Sequence, residues 1–104
     1  GMHHHLDSVE KLDHLEMTIH IMAGEAHIVQ RLEREKRHGS VEKLDAYTYQ
    51  FTADVYDATE MLPWIHTFIG RIQHLQCSNP LIVETFHQDL AQMQRLYGGD
   101  SHAV

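Results

Sequence analysis

The chain is short of the residues that lock small proteins together covalently. Its single cysteine, Cys77, excludes an internal disulfide and any Cys-rich zinc site. No apolar run approaches the ~20 residues of a membrane span and no apolar signal segment is present, so the cytoplasm is the expected compartment and no membrane partner is expected. Basic side chains are scarce too: 8 Lys and Arg face 15 Asp and Glu, a formal charge of -7. That balance opposes non-specific attraction to phosphate, which depends on cationic neutralisation and counterion release, so direct binding to double-stranded DNA is not expected. Also missing are a nucleophile motif, a phosphate-cradling Gly-rich loop and a zinc-protease helix motif. The expectation is a non-enzymatic protein with no cofactor.

What is present suffices for one core. A length of 104 residues with 42% hydrophobic and 22% charged side chains fits a single folded domain and is too apolar for a disordered chain. Eleven histidines are the compositional excess. His3, His4 and His5 sit at the extreme terminus, where a short run is equally compatible with a purification remnant, and Gly1 before Met2 reads as a cleavage scar ahead of a native start, which makes a complete short protein the expectation. Residues 1–13 keep only Leu6, Val9 and Leu12 at near-helical spacing and read as a flexible leader or a tag-like tail; 14–98 form the domain, and 99–104 a disordered tail.

From His14 the pattern alternates. Leu15, Met17, Ile19 and Ile21 share one side, with His14, Glu16, Thr18 and His20 on the other, as in a half-buried strand. Gly24 breaks it, and Ala26, Ile28, Val29 and Leu32 then recur at helical spacing until His38-Gly39. Val41 to Ala46 reads as a weak strand. In Tyr47 to Tyr56, a stronger one, Tyr49, Phe51, Ala53 and Val55 alternate with Gln50, Thr52, Asp54 and Tyr56. Asp57, three residues before Glu60, predicts a capping box, and Pro63 is tolerated in the first turn of a helix whose core face is Met61, Ile65, Phe68 and Ile69. Gly70 ends it. Arg71 to Cys77 reads as the last strand, with Leu75 and Cys77 on one side and Ile72, His74 and Gln76 on the other. Asn79 as cap and Pro80 at the first helical position open a final helix, whose period runs through Val83, Phe86, Leu90, Met93 and Leu96-Tyr97 to Gly98-Gly99. The order predicts an α+β fold: a ferredoxin-like βαββαβ antiparallel sheet, helices on one face, with an additional C-terminal helix.

In that arrangement the first strand lies between the third and the last. His14, Glu16, His20, Asp54 and His74 then share the open face, and imidazoles with a carboxylate suit zinc or a similar ion. The plainer reading is a solvated polar face, since no compact ligand spacing occurs. Sheet-based RNA modules stack bases on aromatics, whereas the middle strands here offer Thr18, His20, Gln50 and Thr52, with no stacking platform. Cys77 alternates with Leu75 toward the core, where a cysteine acts as a small hydrophobe. Tyr49, Phe51, Met61, Phe68, Phe86, Met93 and Tyr97 read as core or interface. Trp64 lies off its helix's main stripe, placed to close the core or to pack on a neighbour.

The segment from Glu60 through Leu62-Pro63-Trp64 to Gly70-Arg71, followed by Ser78-Asn79-Pro80 and the helix through Asp89-Leu90 to Tyr97, resembles the C-terminal extension of WYL-domain bacterial transcriptional regulators. The resemblance runs from about Met17 to Gly98, with Leu62, Pro63, Trp64 and Gly70 as its signature positions. It implies a ferredoxin-like module that acts beside a winged helix-turn-helix and a WYL barrel, in effector response and dimer assembly. The 104 residues contain neither of those parts, so operator recognition and the barrel's ligand-contacting arginines are not carried over. Arg71, the only basic position inside the Glu60 to Arg71 segment, is the candidate ligand contact.

The resulting expectation is a non-catalytic regulatory module acting by oligomerisation or effector binding. Its partners would be a second copy or a separate regulator protein, with a small ligand besides, on a face formed by Thr18, His20, Gln50, Thr52, His74 and Arg71. The alternative is a histidine-based metal-binding protein or metal-dependent enzyme using His14, His20 and His74. A further reading, a pH-responsive protein, follows from the number of imidazoles.

Overall fold

The computed structural model describes residues 12–35 and 39–98. The expected tail at 99–104, most of the expected leader and the end of the first helix at 36–38 lie outside the described residues. Strand β1 (Asp13–His20) leads through a turn to helix α1 (Ala26–Arg34), then to the hairpin of β2 (Gly39–Asp45) and β3 (Thr48–Val55). A 3-10 turn (Ala58–Met61) and the short helix α2 (Leu62–His66) return the chain to β4 (Ile72–Cys77). Helix α3 (Pro80–Met93) follows and ends in a π turn (Gln94–Gly98). The strands lie in the order β2-β3-β1-β4, every neighbouring pair antiparallel. This is the α+β, βαββαβ order expected from the sequence, with the additional C-terminal helix in place.

Alternation decides which side chains leave water. Leu15, Met17 and Ile19 of β1 and Phe51 and Ala53 of β3 point to one face, where Ile28 and Leu32 of α1, Ala58, Ile65, Phe68, and Ile82 and Phe86 of α3 complete a buried core. Tyr49, Val55, Leu75 and Cys77 pack against it from the same side. Burial pushes the Cys77 thiol up, as expected for a cysteine serving as a small hydrophobe. Ala26, placed on the core stripe by spacing, is exposed: it is the first residue of α1, and the buried stripe begins at Ile28.

The predicted helix after Asp57 is divided. The Asp57 carboxylate accepts from Thr59 N–H and caps only a 3-10 turn, after which Pro63 sits in the first turn of a five-residue α-helix. Trp64 closes the core from its rim. Its indole stands edge-on to Phe51 (centroids 4.9 Å) and Phe68 (5.0 Å), and Nε1 donates a long hydrogen bond to the Arg31 carbonyl (3.4 Å). Leu62 is half-buried against the same core. The turn after α2 ends at Gly70, whose φ of 88° favours glycine.

Helix α3 starts as its cap predicts: Asn79 Oδ1 accepts from Leu81 N–H at 3.0 Å, with Pro80 in the first turn. Its docking is shorter than its apolar period. Ile82, Phe86 and Leu90 face the core, while Met93 and Tyr97, expected as core or interface, stand exposed at 39% and 74%, and Leu96 of the same helical period at 59%. The helix outruns the sheet that would cover them, and every residue from 91 to 98 is exposed. His66 joins α2 to α3 by stacking on Phe86 (centroids 5.9 Å). Its Nε2 lies 2.8 Å from an Asp89 carboxylate oxygen but outside hydrogen-bond alignment, so the contact is one of charge and packing.

Candidate functional site

The open face of the sheet is polar along its whole length. Pairing across β1 and β3 sets His14 beside Asp54, Glu16 beside Thr52, Thr18 beside Gln50 and His20 beside Thr48; β4 adds His74 opposite Thr18 and Gln76 opposite Glu16. The expected residues Thr18, His20, Gln50, Thr52 and His74 therefore do share this face. Its side chains satisfy one another: Thr52 bonds Ser40 at 3.0 Å and His74 bonds Gln76 at 3.2 Å.

The face does not gather metal ligands. His14 and His20 occupy opposite ends of β1, about 20 Å apart at strand rise, and His74 sits near the middle. Among the described residues, no three His, Cys, Asp or Glu side chains are placed to hold an ion. Instead, His14 lies between two acids, its Nδ1 2.8 Å from Asp54 Oδ1 and its Nε2 3.0 Å from Glu16 Oε2. The two ring nitrogens point opposite ways, so the carboxylates cannot join either of them on one ion. A neutral imidazole has a single N–H and can donate to only one acid; the protonated ring donates to both. Hydrogen bonding to Asp54 first, and then to Glu16, raises the His14 pKa above its ordinary value.

At the other end of β1 the structure brings two expected residues together. β4 slips by one residue against β1 between Thr18 and Ile19, so Ile19 pairs with Ile72 and Gln73 is left as a bulge. Ile72 thereby turns toward the core, correcting the outward placement that strict alternation gives it. The Gly70 turn and this bulge carry Arg71 and Gln73 to the end of β1, where His20 N–H donates to the Arg71 carbonyl at 2.8 Å. His20, Glu25, Arg71 and Gln73 line an open pocket of about 380 Å³.

Arg71, the candidate ligand contact, is held on one edge by Glu25. Nε donates to Oε1 at 3.1 Å and Nη2 to Oε2, a two-point pair spanning the turns before α1 and before β4. Glu25 Oε1 also accepts from Met22 N–H at 2.9 Å. The Arg71 guanidinium, helped by that N–H, holds the Glu25 carboxyl well below its usual range, at about 2. His20 is oriented through Thr48, whose Oγ1 lies 3.1 Å from Nδ1. Tyr47 N–H and then the Thr48 hydroxyl hold the Asp45 carboxyl below its ordinary value. With Nδ1 engaged by Thr48, Nε2 is the ring nitrogen left for other partners.

Glu25, Asp45, Thr48 and Gln73 were not singled out in the sequence. Glu25 immediately after Gly24 is the one local signal, an acid at a turn; the others depend on register. A scan against protein-family models, a search of curated proteins and a search of solved structures each found no match to this chain. No helix among the described residues is long and apolar enough to cross a membrane.

Proposed function

We propose that the protein is a non-catalytic regulatory module of the kind that closes WYL-type transcriptional regulators, working by self-association with effector binding as a second element. The supporting observation is the terminal helix. Its last turns leave the domain with Met93, Leu96 and Tyr97 unburied, although the Asn79-Pro80 cap, bonded to Asp13, and the buried Ile82 and Phe86 fix the start of that helix on the core. An apolar stripe that its own fold leaves uncovered fits a surface meant for a second copy. Polar self-satisfaction of the open sheet face argues against that face as the apolar contact and favours the helix end for this role.

Light scattering across micromolar concentrations tests this. The expected result is a concentration-dependent dimer that Leu96→Glu with Tyr97→Ser converts to monomer while the circular dichroism spectrum stays unchanged. A strict monomer at every concentration, for the unmodified chain, overturns the reading.

A further inference from the structure

We propose that the pocket at the end of β1 binds a small oxyanion, a carboxylate or a phosphate, between the free edge of Arg71, the Gln73 amide and the His20 ring. This names the ligand class for the effector element of the function proposed above, and it rests on that reading only for its biological use.

Glu25 occupies one edge of the guanidinium, through Nε and Nη2. Nη1 has no partner among the described residues, and a planar guanidinium offers two-point binding along that second edge as well. Gln73, bulged out of the β1–β4 ladder, adds an exposed amide at the same mouth. His20 completes the set. Its Nδ1 is committed to Thr48, so its outward Nε2 is the atom available to a ligand. A lone pair there repels an oxyanion, whereas an N–H donates to it.

The groups facing His20 are Arg71 and Glu25 from the two turns, Asp45 at the end of β2, and Thr48 and Tyr47 from the hairpin. An anion at Nε2 selects the tautomer that carries the proton there, in which the Thr48 hydroxyl donates to Nδ1. Glu25, paired with Arg71, is a resident competitor for the guanidinium.

Two-dimensional amide NMR of the full chain, titrated with inorganic phosphate or with acetate against chloride at equal ionic strength, tests the site. Saturable shifts at Gly70, Arg71 and Gln73 are expected. Removing one nearby negative charge with Glu25→Gln should tighten binding by about threefold to tenfold. His20→Ala should weaken binding, and Arg71→Gln should abolish it. If Arg71→Gln does not fold, the Glu25→Gln and His20→Ala arms decide alone. Absence of saturable shifts with both anions, or Glu25→Gln leaving affinity unchanged, overturns the proposal. Light scattering on the same samples reads self-association separately, so loss of one finding leaves the other standing.

Discussion

Trp64 is the position at which the resemblance signature and the core can be tested by one substitution. The indole bridges Phe51 and Phe68 edge-on, and Phe68 also carries the Arg31 guanidinium over its ring at 5.1 Å. Truncating a buried Trp to Ala costs about 3–5 kcal/mol, and because Trp64 is half-buried the lower end applies, about 3 kcal/mol. Against a total stability of about 5–15 kcal/mol that loss is large. With a urea slope of about 1–3 kcal/mol/M, the unfolding midpoint should fall by about 1–3 M. Trp64 is the only tryptophan, so its fluorescence follows unfolding of the unmodified chain, and far-UV circular dichroism must follow the Trp64→Ala variant. Trp64→Phe keeps ring contact but loses the long bond to the Arg31 carbonyl and should cost about 1 kcal/mol. A double-mutant cycle with Phe51→Leu should return a coupling of about 0.5–1.5 kcal/mol for the aromatic pair. A Trp64→Ala loss below about 1 kcal/mol, with no coupling to Phe51, would refute the claim that the signature Trp is a core-closing residue.

His14→Gln should change the pH profile of stability. A histidine whose pKa is raised on folding stabilises fully below its unfolded value and loses that contribution as pH rises through the folded value. Wild type should therefore lose stability, relative to the variant, as pH climbs upward from about 6.5; parallel urea midpoints across that range would contradict the two-acid clasp. Gly39→Ala places a Cβ 1.8 Å from the Thr52 carbonyl oxygen and 2.7 Å from Ala53 Cα, both backbone atoms that cannot yield cheaply. A destabilisation of about 1–3 kcal/mol, with faster amide exchange in the β2–β3 hairpin, is expected. Asn79→Ala removes the cap of α3 and the 3.3 Å bond to Asp13 and should cost about 1 kcal/mol by thermal or urea unfolding.

Strand alternation was legible because period-two patterning reports burial directly. Leu15, Met17, Ile19, Phe51 and Ala53 face inward as read, and the open-face set from His14 to His74 follows from the same rule. What alternation could not show was the bulge at Gln73. A one-residue slip leaves no mark in composition, yet it turns Ile72 inward and places Gln73 at the pocket. Helical period put Met93 and Tyr97 among the core-or-interface positions without choosing between the two, because period reports which side of a helix is apolar and not how far the neighbouring sheet extends. Asp13 was assigned to the leader, although its carboxylate accepts from Ala58 N–H at 2.9 Å and from the Asn79 amide. Those partners lie far along the chain and no local pattern announces them. The His14 clasp was half visible: the residues were named together, but only ring geometry separates a proton site from a metal site.

β1 is made before the other described strands and lies at the inside of the sheet, bonded on one side to β3 and on the other to β4. None of its partners is a sequence neighbour: His14 meets Asp54 40 residues away and Ser78 64 residues away. During synthesis the strand must wait for β3 before either edge can pair, and its second edge stays open until β4 has emerged. Non-local closure of this kind slows folding relative to a helical bundle of the same size. For this chain, the interval before Cys77 leaves the ribosome is the stage at which β1 is open to pairing with the wrong strand.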